Sequence, residues 1–417
     1  MTRITPAAVF VAIVASALHS GAETVHARVA DALTGMPIAD AIVTLDRTSV
    51  RTDPQGLFAV DAAEETIVRV RAPGYLRNEV AAHRLREPNA EIRLTSFRPK
   101  ALYLSVYGIG DGRLRTSALT LLDSTELNAL VIDVKGDRGL IPYPSEIGLA
   151  KDVGAQHLIT ISDLPALVRD LRRRGIYTIA RIVVFKDTLL ATERPDLAIR
   201  RRDGSIFRDR ERLAWTKPSS RAVWDYNIDV AVEAAAAGFD EIQFDYVRLP
   251  DATGVAFDFP WTEEHREAVI DGFLNAARER LTPFNVFLAA DIFGYVCWNR
   301  DDTKIGQRIE HLAGILDYVS PMLYPSSFQY GIPGCSNPVE HPHEIVRSTL
   351  EEARARTQLP SVRFRPWLQA FRDYAFDKRP FTGGEVRQQI EAAEEFGADG
   401  WMLWNPHNTY SAADLKR

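Results

Sequence analysis

The chain has 417 residues, 46% of them apolar and 25% charged, a make-up that fits a soluble globular protein with room for two or three domains. Its formal net charge is -6 and it has no long basic run, which argues against nucleic acid as the main partner, since phosphate binding needs clustered Lys and Arg. The short cluster Arg172-Arg173-Arg174 reads as the solvated last turn of a helix.

Arg3 is followed by an apolar run over residues 7–18 and then by Ser20-Gly21-Ala22. A positive start, a short apolar stretch and a small-residue site predict a secretory signal peptide over residues 1–22, with export to the periplasm or beyond. The run is too short to span a bilayer comfortably, and no other stretch is long and apolar enough to do so.

Residues 23–96 read as a small all-β sandwich. Alternating or apolar segments at 24–29, 41–45, 57–60, 66–70 and 90–94 are separated by Thr34-Gly35, Asp53-Pro54-Gln55-Gly56 and Pro73-Gly74-Tyr75. Thr34-Gly35-Met36-Pro37-Ile38, Thr52-Asp53, Gly56-Leu57-Phe58 and Ala72-Pro73-Gly74-Tyr75 together resemble carboxypeptidase-regulatory-like domains. That resemblance implies a transthyretin-like sandwich serving as a spacer or binding module, with no catalysis of its own.

Residues 97–417 alternate strands with helices. Strands are predicted at 101–106, 129–134, 177–184, 241–246, 286–291, 318–323, 363–370 and 400–404. Helices are predicted at 163–174, 223–237, 263–281, 304–316, 342–356 and 384–396. Eight such units predict an α/β fold of the (β/α)8 TIM-barrel class, with an open doubly wound sheet as the alternative. The connection over 185–222 is long enough to form a lid or binding wall. Cys297 and Cys335 fall in loops of the carboxyl face, where a disulfide between them would brace the rim; free thiols are the alternative.

The carboxyl ends of barrel strands carry chemistry. Strand two ends with Asp133 and Lys135, whose spacing of two points both toward the mouth. Strand three carries Arg181, and strand four ends with Asp245, Tyr246 and Arg248. Strand five ends with Asp291, with Trp298 nearby; Tyr324, Gln369, Trp404 and Asn405 follow on strands six to eight. Paired carboxylates are what glycosidic cleavage requires, and aromatic faces stack on sugar rings. Asp245 is therefore assigned as nucleophile or base and Asp291 as general acid/base. Substrate contacts are assigned to Asp133, Lys135, Arg181, Tyr246, Arg248, Trp298, Tyr324, Gln369, Trp404 and Asn405. Asp240 and Glu241, at the start of strand four, read as structural. Carboxyl groups of Asp245 and Asp291 roughly 5–10 Å apart across an open cleft would fit catalysis, whereas burial of either under packed side chains would speak against catalysis by this pair and for a binding protein.

No Gly-x-Ser-x-Gly elbow, His-Glu-x-x-His pair or Gly-rich phosphate turn appears, so no cofactor or resident metal is expected. Asp133, Asp245 and Asp291 would also serve as donors for a hard cation.

Three blocks, Asn128-Ala129-Leu130-Val131-Ile132-Asp133-Val134-Lys135-Gly136-Asp137, Ile179-Ala180-Arg181-Ile182-Val183-Val184-Phe185-Lys186-Asp187 and Gly238-Phe239-Asp240-Glu241-Ile242-Gln243-Phe244-Asp245-Tyr246-Val247-Arg248, resemble a bacterial glycoside-hydrolase-like family of unknown function. The resemblance spans about residues 101–410. It implies a TIM barrel related to carbohydrate-active enzymes and supplies no substrate; taken with the predicted export and the paired carboxylates, the reading is an exported hydrolase acting on a polysaccharide. A carbohydrate-binding or envelope-interaction protein is the alternative, and a transglycosylase a third reading.

Overall fold

The computed structural model describes residues 23–417. The signal peptide read over residues 1–22 lies outside them. Alternation of apolar and polar residues builds the N-terminal region. Leu57–Ala62, Glu23–Asp31 and Glu91–Leu94 form one sheet, and Thr48–Arg51, Ile42–Leu45, Ile67–Arg71 and Asn78–Ala81 form a second. Val25, Val29, Val43, Val68, Val70 and Ile92 close a single core between them. Thr48–Arg51 and Asn78–Ala81 are edge strands without a core-facing apolar series, so their pattern did not mark them as strands.

The barrel strands are Lys100–Leu104, Ala129–Lys135, Tyr177–Val183, Glu241–Asp245, Phe287–Phe293, Tyr318–Met322, Trp367–Gln369 and Trp401–Trp404. They pair in sequence order, and Trp401–Trp404 closes the ring by pairing in parallel with Lys100–Leu104. That closing pair excludes the open sheet. Because each strand is buried on both faces, Ala129–Lys135 and Tyr177–Val183 read as nearly unbroken apolar runs. One face fills the barrel with Tyr103, Val131, Ile179, Phe287 and Met402, among others. The other packs beneath the helices, for example through Ile132 and Ile242, with Phe273 of the helix Glu263–Leu281 in the same core.

Local signals set the approach to the fourth strand. The helix Arg221–Ala237 ends at Gly238, whose φ of 106° is a conformation that a side chain would oppose. The chain then turns at once into Glu241–Asp245.

The amino end of the barrel is a structural face. Glu241 is fully buried and accepts hydrogen bonds from Arg365 and from the Tyr177 hydroxyl. The other side of Arg365 holds Asp399 at 2.9 Å. The sandwich docks on this same end. Arg71 donates to Asn285 Oδ1 at 2.9 Å, the Gly74 amide donates to the Tyr318 hydroxyl at 3.0 Å, and Arg77 donates to Asp240 at 3.0 Å. The structural reading of Asp240 and Glu241 agrees with these contacts. No helix among the described residues is long and apolar enough to cross a membrane.

Asp317 ties the junction together. It lies 2.9 Å from Arg278 and 3.5 Å from Arg71, and it accepts the Leu288 amide. Burial alone would push its carboxyl up, but the two guanidinium groups outweigh that and hold it at about 2. A carboxyl depressed on folding contributes stability above its unfolded pKa of about 3.9, and that stability is lost as pH falls through the folded value. Asp317→Asn is therefore expected to cost at least about 2 kcal/mol at neutral pH and to flatten the acid limb of the stability curve. Urea unfolding of both proteins between pH 7 and pH 2 measures this; an unchanged acid limb would refute it.

Candidate active site

One guanidinium organises the carboxyl end of the barrel. Arg181 leaves the third strand toward the axis and is almost wholly buried. Its Nη1 donates to Asp133 Oδ1 at 2.6 Å. Its Nε donates to Asp245 Oδ2 at 3.1 Å, and Nη2 makes a second, short contact to the same oxygen. Asp291 Oδ2 lies 3.7 Å from Nε. Three strands thus bring their carboxylates onto one cation. The Asp245 and Asp291 oxygens flank a single nitrogen, so they are no farther apart than those two distances together allow.

Aromatic rings close the cluster. Tyr103 stacks on Trp404 with ring centroids 4.0 Å apart, and its hydroxyl donates to Asp133 Oδ2 at 2.6 Å. The Arg181 guanidinium lies 4.9 Å from the Trp404 ring and 5.4 Å from the Tyr103 ring. Trp367 Nε1 donates to Asp291 Oδ1 at 2.7 Å. The Tyr324 phenol stands in the field of the same acids: burial and the charges of Asp291 and Asp245 push its pKa well up.

The electrostatics follow from this crowding. Asp291 is driven well above the usual carboxylate range, first by burial and then by the charge of Asp245, against the smaller opposing pull of Arg181. Burial raises Asp133 to about 6, with Arg181 and Tyr103 offsetting part of the cost. Beyond Asp245 the backbone breaks sharply. Tyr246 has a φ of 50°, a left-handed conformation costly for a residue with a β-carbon. In that turn its amide donates to Asp245 Oδ1 at 2.5 Å. Asp245 is thereby gripped on both oxygens.

Several residues predicted from the sequence meet here: Asp133, Arg181, Asp245, Asp291, Tyr324 and Trp404. Tyr246 and Arg248 sit at the edge. Arg248 does not pair with Asp245; it donates to the Leu249 carbonyl and lies 5.1 Å from the Trp215 ring and 5.2 Å from the Tyr246 ring. Asp291 is not at an open cleft. It is 1% exposed beneath Trp367 and Arg181, and Asp245, at 6%, is buried as well.

The other assignments need correction. Lys135 does not face the mouth: it is fully buried, pairs with Asp187 at 2.8 Å and donates to the Val183 carbonyl at 2.7 Å. The pairing of strands two and three slips after Arg181, and this irregularity removes Lys135 from the alternation that Asp133 follows. Trp298 is carried outward by the short turn Gly294–Cys297 and donates to Thr349 on the helix Pro342–Thr357 at 3.0 Å. Gln369 is fully buried and clamps Ser326. Asn405 spends its amide on the carbonyls of Ala370 and Thr409. Cys297 and Cys335 are free thiols rather than a disulfide. Cys297 lies in the turn packed under the helix Pro342–Thr357, where burial pushes its thiol up to about 12, while Cys335 closes a tight backbone turn with Ile332.

Tyr103 and Trp367 were not among the assigned site residues. Tyr103 is an inward residue of a strand that reads simply as apolar, with no charged neighbour to mark it, whereas Trp367 follows Arg365 by two residues in a strand with several polar positions. The hard-cation reading fares poorly, because the Arg181 guanidinium already occupies the centre of the three carboxylates. Among the described residues no cluster of His, Cys, Asp and Glu is arranged to hold a metal ion.

A family model described as "Putative glycosyl hydrolase domain" matches residues 101–410. Among solved structures, a hypothetical protein from Ruminiclostridium thermocellum ATCC 27405 is 36% identical, covering 46% of this chain and 96% of that one with a TM-score of 0.42. The glycoside hydrolase domain of PgaB (BpsB) from Bordetella bronchiseptica is 15% identical, covering 75% of this chain and 95% of its own with a TM-score of 0.55, a likeness of fold. A class V chitinase from Pseudomonas fluorescens Pf-5 is 13% identical, covering 76% of this chain and 97% of its own with a TM-score of 0.45. No curated protein matches the chain.

The charge balance of the cluster makes a direct prediction. Arg181→Met leaves three buried carboxylates without their cation, which is expected to cost about 3–5 kcal/mol at neutral pH. The loss should shrink toward pH 5, because protonation relieves an unpaired buried acid. Denaturant unfolding at pH 8 and pH 5 tests this. An equal loss at both values would mean that the carboxylates do not depend on Arg181.

Proposed function

The chain belongs to the glycosyl-hydrolase-like family whose model it matches, and on that premise we propose that it is an exported glycoside hydrolase acting on a polysaccharide. The observation that carries the reading is the pair Asp245 and Asp291 gathered on Arg181, at the end of the barrel where such enzymes do chemistry. Two carboxylates this close do not ionise together cheaply, so Asp291, the deeper one, holds the proton. Asp245, the less deeply buried of the two and the one bonded to the guanidinium, is the partner that meets the anomeric centre. Trp404, half-buried and backed by the buried Tyr103, supplies an aromatic face against which a sugar ring can stack. Export rests on the sequence of residues 1–22.

A second reading, a carbohydrate-binding barrel without catalysis, is favoured by the near-complete burial of Asp291. The two readings separate in a polysaccharide panel assayed with wild type, Asp245→Asn and Asp291→Asn. The hydrolase reading expects glycan cleavage that falls by about 100-fold or more in each variant. In wild type, cleavage should also fade as rising pH strips the proton from Asp291. Cleavage that survives Asp245→Asn would remove that residue from the mechanism. Binding without cleavage across the panel would select the second reading.

A further inference from the structure

A cleft of about 580 Å³ opens beside Tyr246. Its walls are the long connection after the third strand and the loop after the fourth. An antiparallel pairing of Arg200 with Ala256 and Arg201 with Val255 ties the two together, so the cleft has a built wall. The lining is unusual for a chain of net charge -6: it presents Arg201, Arg208, Arg210 and Arg248. Lys186 is also present, but Glu211 and Asp209 already neutralise it. Asp251 is the remaining acid of the lining.

Three of the four arginines are held without being neutralised. Arg201 donates to the Arg208 carbonyl at 3.2 Å, Arg208 to the Arg212 carbonyl at 3.1 Å and Arg248 to the Leu249 carbonyl at 3.1 Å. Among the described residues, none of the four guanidinium groups forms an ion pair with a carboxylate. Two of them are braced on aromatic rings, Arg201 over Phe207 at 5.2 Å and Arg248 over Tyr246 at 5.2 Å. A guanidinium fixed by a ring and a carbonyl keeps donors free in a planar fork, which fits the paired oxygens of a carboxylate, sulfate or phosphate.

We propose that this cleft is a subsite for an acidic saccharide, a sugar unit bearing a carboxylate, sulfate or phosphate. Tyr246 links it to the chemistry, because its ring lines the cleft while its amide is bonded to Asp245. A glycan whose charged unit sits among the arginines continues past Tyr246 toward Asp245. The inference names the substrate class of the proposed hydrolase and rests on that reading for the role of Asp245.

The test uses the full chain carrying Asp245→Asn, which removes turnover from the measurement. Calorimetric titration compares oligosaccharides of polygalacturonate, carrageenan and phosphomannan with uncharged galactan oligosaccharides. At least one acidic series should bind about tenfold more tightly than the neutral one, a difference worth 1.4 kcal/mol. The preference should weaken with added salt. Adding Arg208→Gln and Arg210→Gln, both exposed positions, should remove it. The series that binds identifies the anionic group. Equal affinity for neutral and acidic glycans, no binding of any acidic series, or an unchanged preference in the Arg variants would each overturn the subsite. Acidic binding with no cleavage by wild type would remove the hydrolase and keep the subsite. Asp245-dependent cleavage of a neutral glycan without acidic preference would do the reverse.

Discussion

The carboxyl end of this barrel depends on one buried cation shared by three acids. Each of Asp133, Asp245 and Asp291 comes from a different strand, and none has another positive partner at hydrogen-bonding distance. Removing three carboxylates from water is costly, and a single guanidinium cannot balance three negative charges. The surplus has to be absorbed by protonation, and the raised pKa values of Asp133 and Asp291 are that absorption. The neutral donors that complete the cluster, the Tyr103 hydroxyl and the Trp367 indole, satisfy oxygens without adding charge.

The opposite end of the barrel offers an internal control. Arg365 is as buried as Arg181 and likewise bridges acids from separate elements, Glu241 and Asp399. There the charge excess is smaller, the strands are starting rather than ending, and the sandwich lies across that face. That arrangement reads as a clamp. The same chemistry at the carboxyl end, with one more acid and a strained residue beside it, reads as a site, because surplus charge and backbone strain are retained where they serve a purpose.

The strands were legible because a parallel barrel imposes a simple rule: each must be apolar on both faces over a few residues, and each helix between them must show its 3.6-residue stripe. The predicted 263–281 and 384–396 helices coincide with Glu263–Leu281 and Gly384–Phe396. Side-chain direction was less legible. Asp133, Arg181 and Asp245 meet as alternation foretells, but alternation fails where the register does. The slip after Arg181 sent Lys135 elsewhere, and the turn Gly294–Cys297 did the same to Trp298. Tyr103 and Trp367 were hidden for the opposite reason: an aromatic residue that both fills a core and donates a hydrogen bond looks in sequence like any other core residue.

Lys135 has a position of consequence even though it does not face the mouth. Its ion pair holds Asp187, which in turn caps the helix Thr188–Glu193 by accepting the Leu190 amide. The packing there is tight enough that a β-carbon on Gly139 would meet the Asp187 carboxylate at 2.1 Å. Fixing Asp187 fixes its neighbour Lys186, whose ammonium lies 4.6 Å from the Tyr246 ring. Tyr246 is the residue whose left-handed turn delivers an amide to Asp245. A buried pair away from the acids thus positions the edge of the site through three contacts and one peptide link. The long connection that carries Lys186 near its start is anchored at its root by the same pair, so the wall of the basic cleft and the carboxylate cluster share one support.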